Sequence, residues 1–264
     1  MIKVVVSGAA GKMGLEVCKA VCEDSELSLV GAVDVSCVGR DVGELIGHNK
    51  LNIFIENDLD TVLRNLSPQV VVDFTNPNVV MDNIRTAVNC GVNSVIGTTG
   101  IGTDNLKEIE SLIANKNVNV FIAPNFAIGA VLMMKFSEIA SKYFQNVEII
   151  ELHHDKKIDA PSGTAIKTAE MISVSQKKDA PDLVEKEVLK GARGGVFDNI
   201  HIHSVRLPGL VAHQEVIFGS KGQTLTIRHD SIERTSFMPG VLLAVKRVQK
   251  HKGLTYGLDK ITDL

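Results

Sequence analysis

Residues 2–14 are IKVVVSGAAGKMG, a short apolar run followed at once by closely spaced glycines. Apolar side chains then recur at helical spacing through Lys12–Cys22, which predicts a strand, a tight turn and a helix. Gly8, Gly11 and Gly14 have the spacing GxxGxxG, a variant of the dinucleotide-binding fingerprint. Such a turn lets the backbone approach a pyrophosphate, and the helix N-terminus offers it unpaired N–H groups.

The fingerprint also requires an acidic residue about 20 residues further on, after the second strand. Asp34 stands there, at the end of the apolar run Leu27–Val33. We therefore expect Asp34 and the turn to bind a dinucleotide. The turn residues concerned are Gly8, Ala9, Ala10, Gly11, Lys12 and Met13. In the alternative interpretation, the glycines only form a turn and Asp34 only caps a strand end.

The rest of the first half alternates Val- and Ile-rich runs with helical patterns. Strands are predicted at Gln69–Phe74, Asn93–Ile96 and Asn117–Ala123. Buried strands separated by helices indicate βαβ units. The sequence thus predicts an α/β fold with a Rossmann-like, doubly wound parallel sheet.

Two more loops follow predicted parallel strands at their carboxyl ends, where ligands bind in open α/β sheets. One contains Gly97, Thr98 and Thr99. The other contains Ala123, Pro124, Asn125 and Phe126. These loops are candidates for the nicotinamide end of the cofactor and part of the substrate site, although ordinary turn formation explains the same residues equally well.

The second half has a different pattern. Val147–His153 alternates like a strand, and Gln176–Asn199 is charged and lacks a clear period. Further strands are predicted at Ile200–Leu207, His213–Phe218 and Thr224–His229. The last two are joined through a glycine-containing hairpin signal. We expect a smaller α+β domain with a mixed, largely antiparallel sheet.

Residues 151–164 are ELHHDKKIDAPSGT and concentrate unusual chemistry in one stretch. A histidine is the natural proton donor near neutral pH, and Lys157 adds a fixed cation. Ser162–Thr164 begins a helix whose N-terminus suits a carboxylate or a phosphate. The stretch predicts an anion clamp beside a proton donor, with a solvated surface loop as the alternative. No third ligand accompanies the adjacent histidines, so we expect no metal.

The composition of the chain limits the classes of partner that it can be expected to bind. The chain has 264 residues and a formal net charge of −3, without the basic excess of a general nucleic-acid binder. Its four cysteines lack zinc-type spacing and are typical of reduced cytoplasmic thiols. The longest uncharged stretch, Asn117–Met134, is interrupted by Pro124 and Gly129. We therefore expect a cytoplasmic protein that binds neither nucleic acid nor a membrane.

Several motifs together resemble those of the dihydrodipicolinate reductases. They are GAAGKMG, GTTG, APNFAIG and, most specifically, ELHHDKKIDAPSGTA. The similarity runs through nearly the whole chain, including RLPGLVAHQEVIFG and SFMPGVLLAV. It implies an oxidoreductase that uses NADH or NADPH to reduce a cyclic dicarboxylated imine, 4-hydroxy-tetrahydrodipicolinate, in the diaminopimelate and lysine pathway.

The resemblance implies a role for each residue of the site. His153 is implied to be the proton donor, and Lys157 to stabilise charge on the substrate. The implied substrate-binding residues are His154, Gly163, Thr164 and Thr99. The cofactor-binding segments are implied to be those named above.

The resemblance also implies a homotetramer and a discontinuous first domain. Residues 1–125 and 234–264 would form the dinucleotide-binding domain. Residues 126–233 would form the domain for substrate binding and oligomerisation.

One position departs from the pattern of the family. Many members carry Arg directly after the acidic residue of the second strand, where this chain has Val35. Asp34 would repel a 2′-phosphate, which favours NAD. Lys12 could still reach that phosphate from the glycine turn, so both NAD and NADP remain open.

Two other function classes compete with this interpretation. Another dehydrogenase, acting on a semialdehyde or an amino acid, could share the first domain. It would need a different catalytic set, and the absence of any Cys after Cys90 weakens the thiol version. A non-catalytic nucleotide sensor would need no proton donor beside an anion clamp.

Overall fold

The structure, a computed structural model, describes residues 1–176 and 186–262. The chain forms two compact units, one of Met1–Phe126 with Phe237–Leu264 and one of Ala127–Ser236. Part of the stretch predicted to lack a clear period, residues 177–185, lies outside the described residues.

The described strands and helices are numbered in chain order. The strands are β1 (Ile2–Ser7), β2 (Leu27–Val33), β3 (Ile55–Glu56), β4 (Val70–Asp73), β5 (Asn93–Ile96), β6 (Val120–Ile122), β7 (Asn146–His153), β8 (Gly195–Phe197), β9 (Ile200–Arg206), β10 (Ala212–Ser220), β11 (Gln223–Ser231) and β12 (Leu254–Tyr256). The α-helices are α1 (Lys12–Glu23), α2 (Val42–Leu45), α3 (Leu59–Leu66), α4 (Val80–Asn89), α5 (Thr103–Ile113), α6 (Ile128–Ala140), α7 (Gly163–Ser175) and α8 (Met238–Arg247).

The first unit is built on a seven-stranded sheet in which every strand pair is parallel. Its order is β12-β6-β5-β4-β1-β2-β3, so the direction of winding reverses between β1 and β4. All four residues of β4 are buried, as expected for a strand covered by helices on both faces. This arrangement confirms the predicted Rossmann-like, doubly wound sheet.

Several elements of the first unit were not predicted from the sequence. They are the short strands β3 and β12 and the helices α2 and α3. For α3 a signal was present, because Asp58 accepts a hydrogen bond from the Asp60 amide as an N-cap and Leu59, Val62 and Leu63 form a buried face. The two short strands carry too few residues to show a period.

The second unit contains a five-stranded sheet of order β11-β10-β7-β9-β8. Strands β7 and β9 pair in parallel, and the other neighbours pair antiparallel, so the predicted mixed, largely antiparallel sheet is confirmed. Helices α6 and α7 cover one face. There Ile149, Ile202 and Phe218 pack with Ala169 and Ile172 in a closed apolar core.

The lengths of the helices bear on membrane insertion. Within residues 1–176 and 186–262, none of the helices has the length and apolar character needed to cross a membrane.

Helix α8 depends on a glycine at its closest approach to the loop after β6. A Cβ on Gly240 would lie 2.0 Å from the Phe126 carbonyl oxygen. We expect Gly240→Ala to lower the free energy of unfolding by about 1–3 kcal/mol, because backbone atoms must move to relieve the clash. Thermal or urea unfolding measures this. Gly219→Ala, with no atom within 4 Å of the added carbon, is the control and should change stability little. Equal effects of the two variants would contradict this prediction.

Candidate active site

The carboxyl ends of the parallel strands place the predicted cofactor-binding segments at one edge of the first sheet. The glycine turn follows β1, and Asp34 follows β2. The loops from Gly97 and from Ala123 follow β5 and β6. Because β4 joins β1 to β5, these segments succeed one another along the edge. This is the edge where open α/β sheets bind ligands.

Close backbone approach explains the glycines of the turn. Gly8 has a φ of +80°, and a Cβ on it would lie 2.5 Å from the Phe74 carbonyl oxygen. A Cβ on Gly14 would lie 2.0 Å from the carbonyl oxygen of Gly8. The turn after β1 therefore abuts the loop after β4 at the point where the winding reverses. A side chain at either position would force these segments apart.

The N-terminus of α1 has the features of an anion site. Its N-cap, Gly11, has no side chain to cap the helix, and the first turn contains no acidic residue. Asp34 lies beside the turn, where its carboxylate accepts hydrogen bonds from the amides of Ala10 (3.0 Å) and Ser36 (2.8 Å). Free N–H groups next to a fixed carboxylate fit a pyrophosphate followed by a ribose.

A buried carboxylate that sequence reasoning missed supports the loop after β5. Asp73 ends β4 and is 1% exposed. It accepts hydrogen bonds from the Thr98 hydroxyl (2.7 Å), the Thr75 hydroxyl (2.7 Å) and the Asn83 amide (2.7 Å). The side chain of Thr98 therefore fixes the loop to β4, whereas the side chain of Thr99 is exposed to solvent. An acidic residue ending the Val-rich run Val70–Asp73 was the available signal.

The loop after β6 is anchored by an aromatic side chain. Phe126 is buried and packs against Phe121 and Phe74, with ring centroids 5.9 and 5.8 Å apart. The Ala123 amide donates to the Ile96 carbonyl, and Pro124 is exposed. The buried Phe126 ring serves packing in the first unit, so the surface of this loop is presented by the residues before it.

In the second unit, His153 ends β7 next to a buried anion. Glu151 is fully buried, and its carboxylate forms a hydrogen bond with Nδ1 of His153. Burial by itself raises the pKa of Glu151, but hydrogen bonds from His153 and Arg206 outweigh it and lower the pKa to about 2. Glu151 is therefore ionised at neutral pH. The adjacent His154 is exposed, so the two histidines occupy different environments, as the alternation of a strand predicts.

Arg206 connects this pair to the loop that carries Lys157. Its guanidinium binds both oxygens of Glu151, at 2.7 and 2.9 Å. It also donates to the Asp159 carbonyl at 2.7 Å. This contact could not be predicted from the sequence, because Arg206 lies on β9, 55 residues from Glu151.

Lys157 is paired within the same loop. Its ammonium lies 2.7 Å from both carboxylate oxygens of Asp159. The pKa of Asp159 is lowered by this bond from Lys157. The Lys157 backbone amide donates to the His154 carbonyl, which holds the lysine one turn beyond the histidines.

The start of α7 is ordered and sterically open. The Ser162 hydroxyl accepts from the Ala165 amide as an N-cap, and the Ser162 amide lies 3.3 Å from Glu151. No atom lies within 4 Å of a Cβ built on Gly163. The carbonyl of Thr164 accepts from the Thr168 hydroxyl. The second unit thus brings His153, the Lys157 loop and the start of α7 together around Glu151 and Arg206.

The last feature of the candidate site concerns metal ligands in the part of the chain that the structure describes. Those residues contain no group of three or more His, Cys, Asp or Glu side chains that could hold a metal ion.

Comparisons of the sequence and of the structure with known proteins point to one enzyme family. The sequence models for the N-terminus and the C-terminus of dihydrodipicolinate reductase match residues 2–126 and 129–262. A 4-hydroxy-tetrahydrodipicolinate reductase of Syntrophomonas wolfei is 56% identical over 98% of both chains. One of Desulfitobacterium hafniense is 50% identical over 99% of both. The structure of dipicolinate-bound dihydrodipicolinate reductase from Paenisporosarcina sp. TG-14 has 43% identity and a TM-score of 0.88, over 99% of this chain and 100% of that one.

These matches confirm the resemblance inferred from the motifs and the interpretation of the chain as an oxidoreductase. They disfavour the two competing classes, because both halves match one enzyme family. With its two units, its strand-edge turn and its tandem-histidine loop, the chain belongs to the dihydrodipicolinate reductase family.

Proposed function

We propose that the protein reduces 4-hydroxy-tetrahydrodipicolinate to tetrahydrodipicolinate with a hydride from NADH or NADPH and one proton, while the 4-hydroxyl of the substrate leaves as water. The observation that carries the proposal is the cluster in the second unit, where a histidine held by an ionised carboxylate accompanies a lysine and an open helix N-terminus. A small cyclic dicarboxylate suits such a site. The related structure from Paenisporosarcina is named as dipicolinate-bound, which supports this substrate class.

The first unit would hold the cofactor. The uncapped N-terminus of α1 suits the pyrophosphate, and Asp34 suits the ribose hydroxyls. Loops Gly97–Thr99 and Ala123–Phe126, at the same edge of the sheet, suit the nicotinamide half. When bound, the reduced nicotinamide supplies a hydride to the unsaturated ring.

The second unit would hold the substrate and deliver the proton. Lys157 and the amides at Gly163 and Thr164 offset carboxylate charge, and His154 adds a further contact. His153 donates the proton that completes the reduction. Positive groups directed at the substrate stabilise negative charge as it develops after hydride addition.

The sheet of the second unit offers a surface for assembly. Ile150 and Leu152 of β7 point away from α6 and α7 by strand alternation and are only half-buried. Ile217 of β10 lies on the same face, opposite Glu148. We extend the proposal to a homotetramer that buries this face. The cytoplasm is the compartment that suits four free cysteines.

Replacement of the proton donor should affect turnover most. His153→Ala is expected to lower kcat by about 10²–10⁴, the usual effect of losing a positioned acid. Steady-state kinetics with substrate freshly made by the preceding synthase measures this, and NADH affinity should stay unchanged. His48→Ala, in the first unit, is the control. A kcat within threefold of the unsubstituted enzyme would mean that another group supplies the proton.

Loss of the clamp cation should affect substrate binding. Lys157→Ala is expected to raise the substrate KM about tenfold and to lower kcat, because a charge-assisted contact worth more than 1 kcal/mol is lost. Its exposed neighbour provides the control, Lys156→Ala, which should behave like the unsubstituted enzyme. A loss of NADH affinity in Lys157→Ala would place this lysine at the nucleotide instead.

Cofactor preference should follow Asp34 and Val35. We expect kcat/KM with NADH to equal or exceed that with NADPH, because the Asp34 carboxylate would repel a 2′-phosphate and Val35 offers it no positive charge. Val35 is 89% exposed, so Val35→Arg is structurally tolerated. It should raise kcat/KM for NADPH about tenfold by pairing with the 2′-phosphate. Val38→Arg, which adds the same charge to the same loop, is the control. A hundredfold preference of the unsubstituted enzyme for NADPH would contradict the prediction.

A further inference from the structure

One ion pair, Glu151 with Arg206, contacts three elements of the candidate site in the second unit. Glu151 bonds Nδ1 of His153 and lies within reach of the Ser162 amide at the start of α7. Arg206 bonds Glu151 with two nitrogens and the Asp159 carbonyl with one of them. The proton donor, the helix N-terminus and the lysine loop therefore share one carboxylate–guanidinium pair.

We propose that Glu151 and Arg206 are positioning residues, with Glu151 holding the proton of His153 on Nδ1 so that Nε2 is the atom that exchanges a proton with substrate, and Arg206 holding the Lys157 loop. The proposal deepens the proposed function and rests on it for its kinetic consequences. Neither residue touches substrate in this scheme. Each acts through a neighbour.

The geometry determines the direction of the hydrogen bond. An ionised carboxylate has no proton to give, so Nδ1 of His153 must donate to Glu151. The opposite nitrogen, Nε2, is then left for the substrate. In an imidazolium it carries the proton to be donated, and after donation it is an acceptor. Rotation of the ring by half a turn would lose the bond to Glu151, which resists this exchange.

Arg206 fits the second role because its planar fork makes separate contacts. One nitrogen bonds Glu151 Oε2, and the other bonds both Glu151 Oε1 and the Asp159 carbonyl. Asp159 in turn holds the ammonium of Lys157. A lysine at position 206 would keep the charge but not this set of bonds.

The chain contains a matched control for the pair. Glu148 lies three residues earlier on β7 and also binds an arginine and a histidine, Arg193 at 2.6 Å and His203 at 2.8 Å. It occupies the other face of the strand, away from Glu151. Glu148→Gln therefore repeats the chemical change outside the candidate site, and size-exclusion chromatography of this variant checks that assembly through its face is unchanged.

Histidine tautomers in the unsubstituted protein provide the first test. Long-range ¹H–¹⁵N correlation spectra of ¹⁵N-labelled protein follow both ring nitrogens of His153 through a pH titration. The signals of His153 are assigned because they are absent from the spectrum of the His153→Asn variant. We expect Nδ1 to stay protonated throughout. Loss of the Nδ1 proton on neutralisation of the ring would overturn the role of Glu151. This measurement needs no turnover, so an inactive enzyme with a protonated Nδ1 would refute the proposed function alone.

Kinetics of Glu151→Gln provide the second test. We expect kcat to fall about a hundredfold, with the affinities for NADH and for dipicolinate changed less than threefold. The solvent isotope effect on kcat should rise, because proton delivery becomes limiting. Glu148→Gln should retain normal kcat. The positioning role would be overturned if folded Glu151→Gln had a kcat within twofold of normal. It would also be overturned if kcat and the affinity for dipicolinate fell in parallel. If this variant does not fold, the tautomer measurement decides.

Arg206→Lys tests the link to the clamp. We expect the substrate KM to rise about tenfold, more than kcat falls, because the loop with Lys157 loses its tie to β9. A normal KM in a folded Arg206→Lys enzyme would overturn that link.

Discussion

A buried carboxylate needs partners, and the second unit is organised around one. Glu151 is fully buried on a central strand, where an unpaired charge would be very costly. Arg206 supplies the opposite charge, and His153 and the Ser162 amide approach the same oxygens. Removing one member of such a pair typically costs about 3–5 kcal/mol, because the other charge is left uncompensated. The arrangement of the candidate site is therefore coupled to the stability of the sheet that carries it.

The first unit also contains a buried carboxylate, but neutral groups stabilise it. Asp73 is also buried at a strand end beneath a candidate binding loop, but it is surrounded by hydroxyl and amide donors from Thr75, Thr98 and Asn83. These bonds join the loop after β5 to β4 and α4. In both units, a carboxylate ending or near the end of a strand fixes a loop through hydrogen bonds. The difference is the cation, which accompanies the carboxylate only next to the predicted proton donor.

Whether a feature can be predicted from the sequence depends on how far apart its interacting residues are along the chain. The glycine turn, the parallel strands and the residues from His153 to Thr164 each lie within a short stretch, so spacing and residue type predict them. The parallel pairing of β7 with β9 does not follow from adjacent hairpin signals, because α7 and β8 intervene between the two strands. Arg206 escapes prediction for the same reason. Its role exists only because β9 runs beside β7 and brings position 206 next to position 153.

Because Arg206 is distant in sequence, residues 151–164 contain most of the candidate site but not all of it. This stretch contains the predicted proton donor, a cation and a helix N-terminus, but Lys157 is bonded to Asp159, and the bond from Arg206 reaches the backbone of Asp159. A carboxylate that bound Lys157, as proposed for the substrate, would compete with Asp159 for the ammonium. Arg206 bonds the Asp159 carbonyl, so the backbone at Asp159 is bonded to β9 independently of the Asp159 carboxylate. The loop is therefore held by a bond from a distant strand as well as by its local ion pair, and the short motif by itself does not contain that bond.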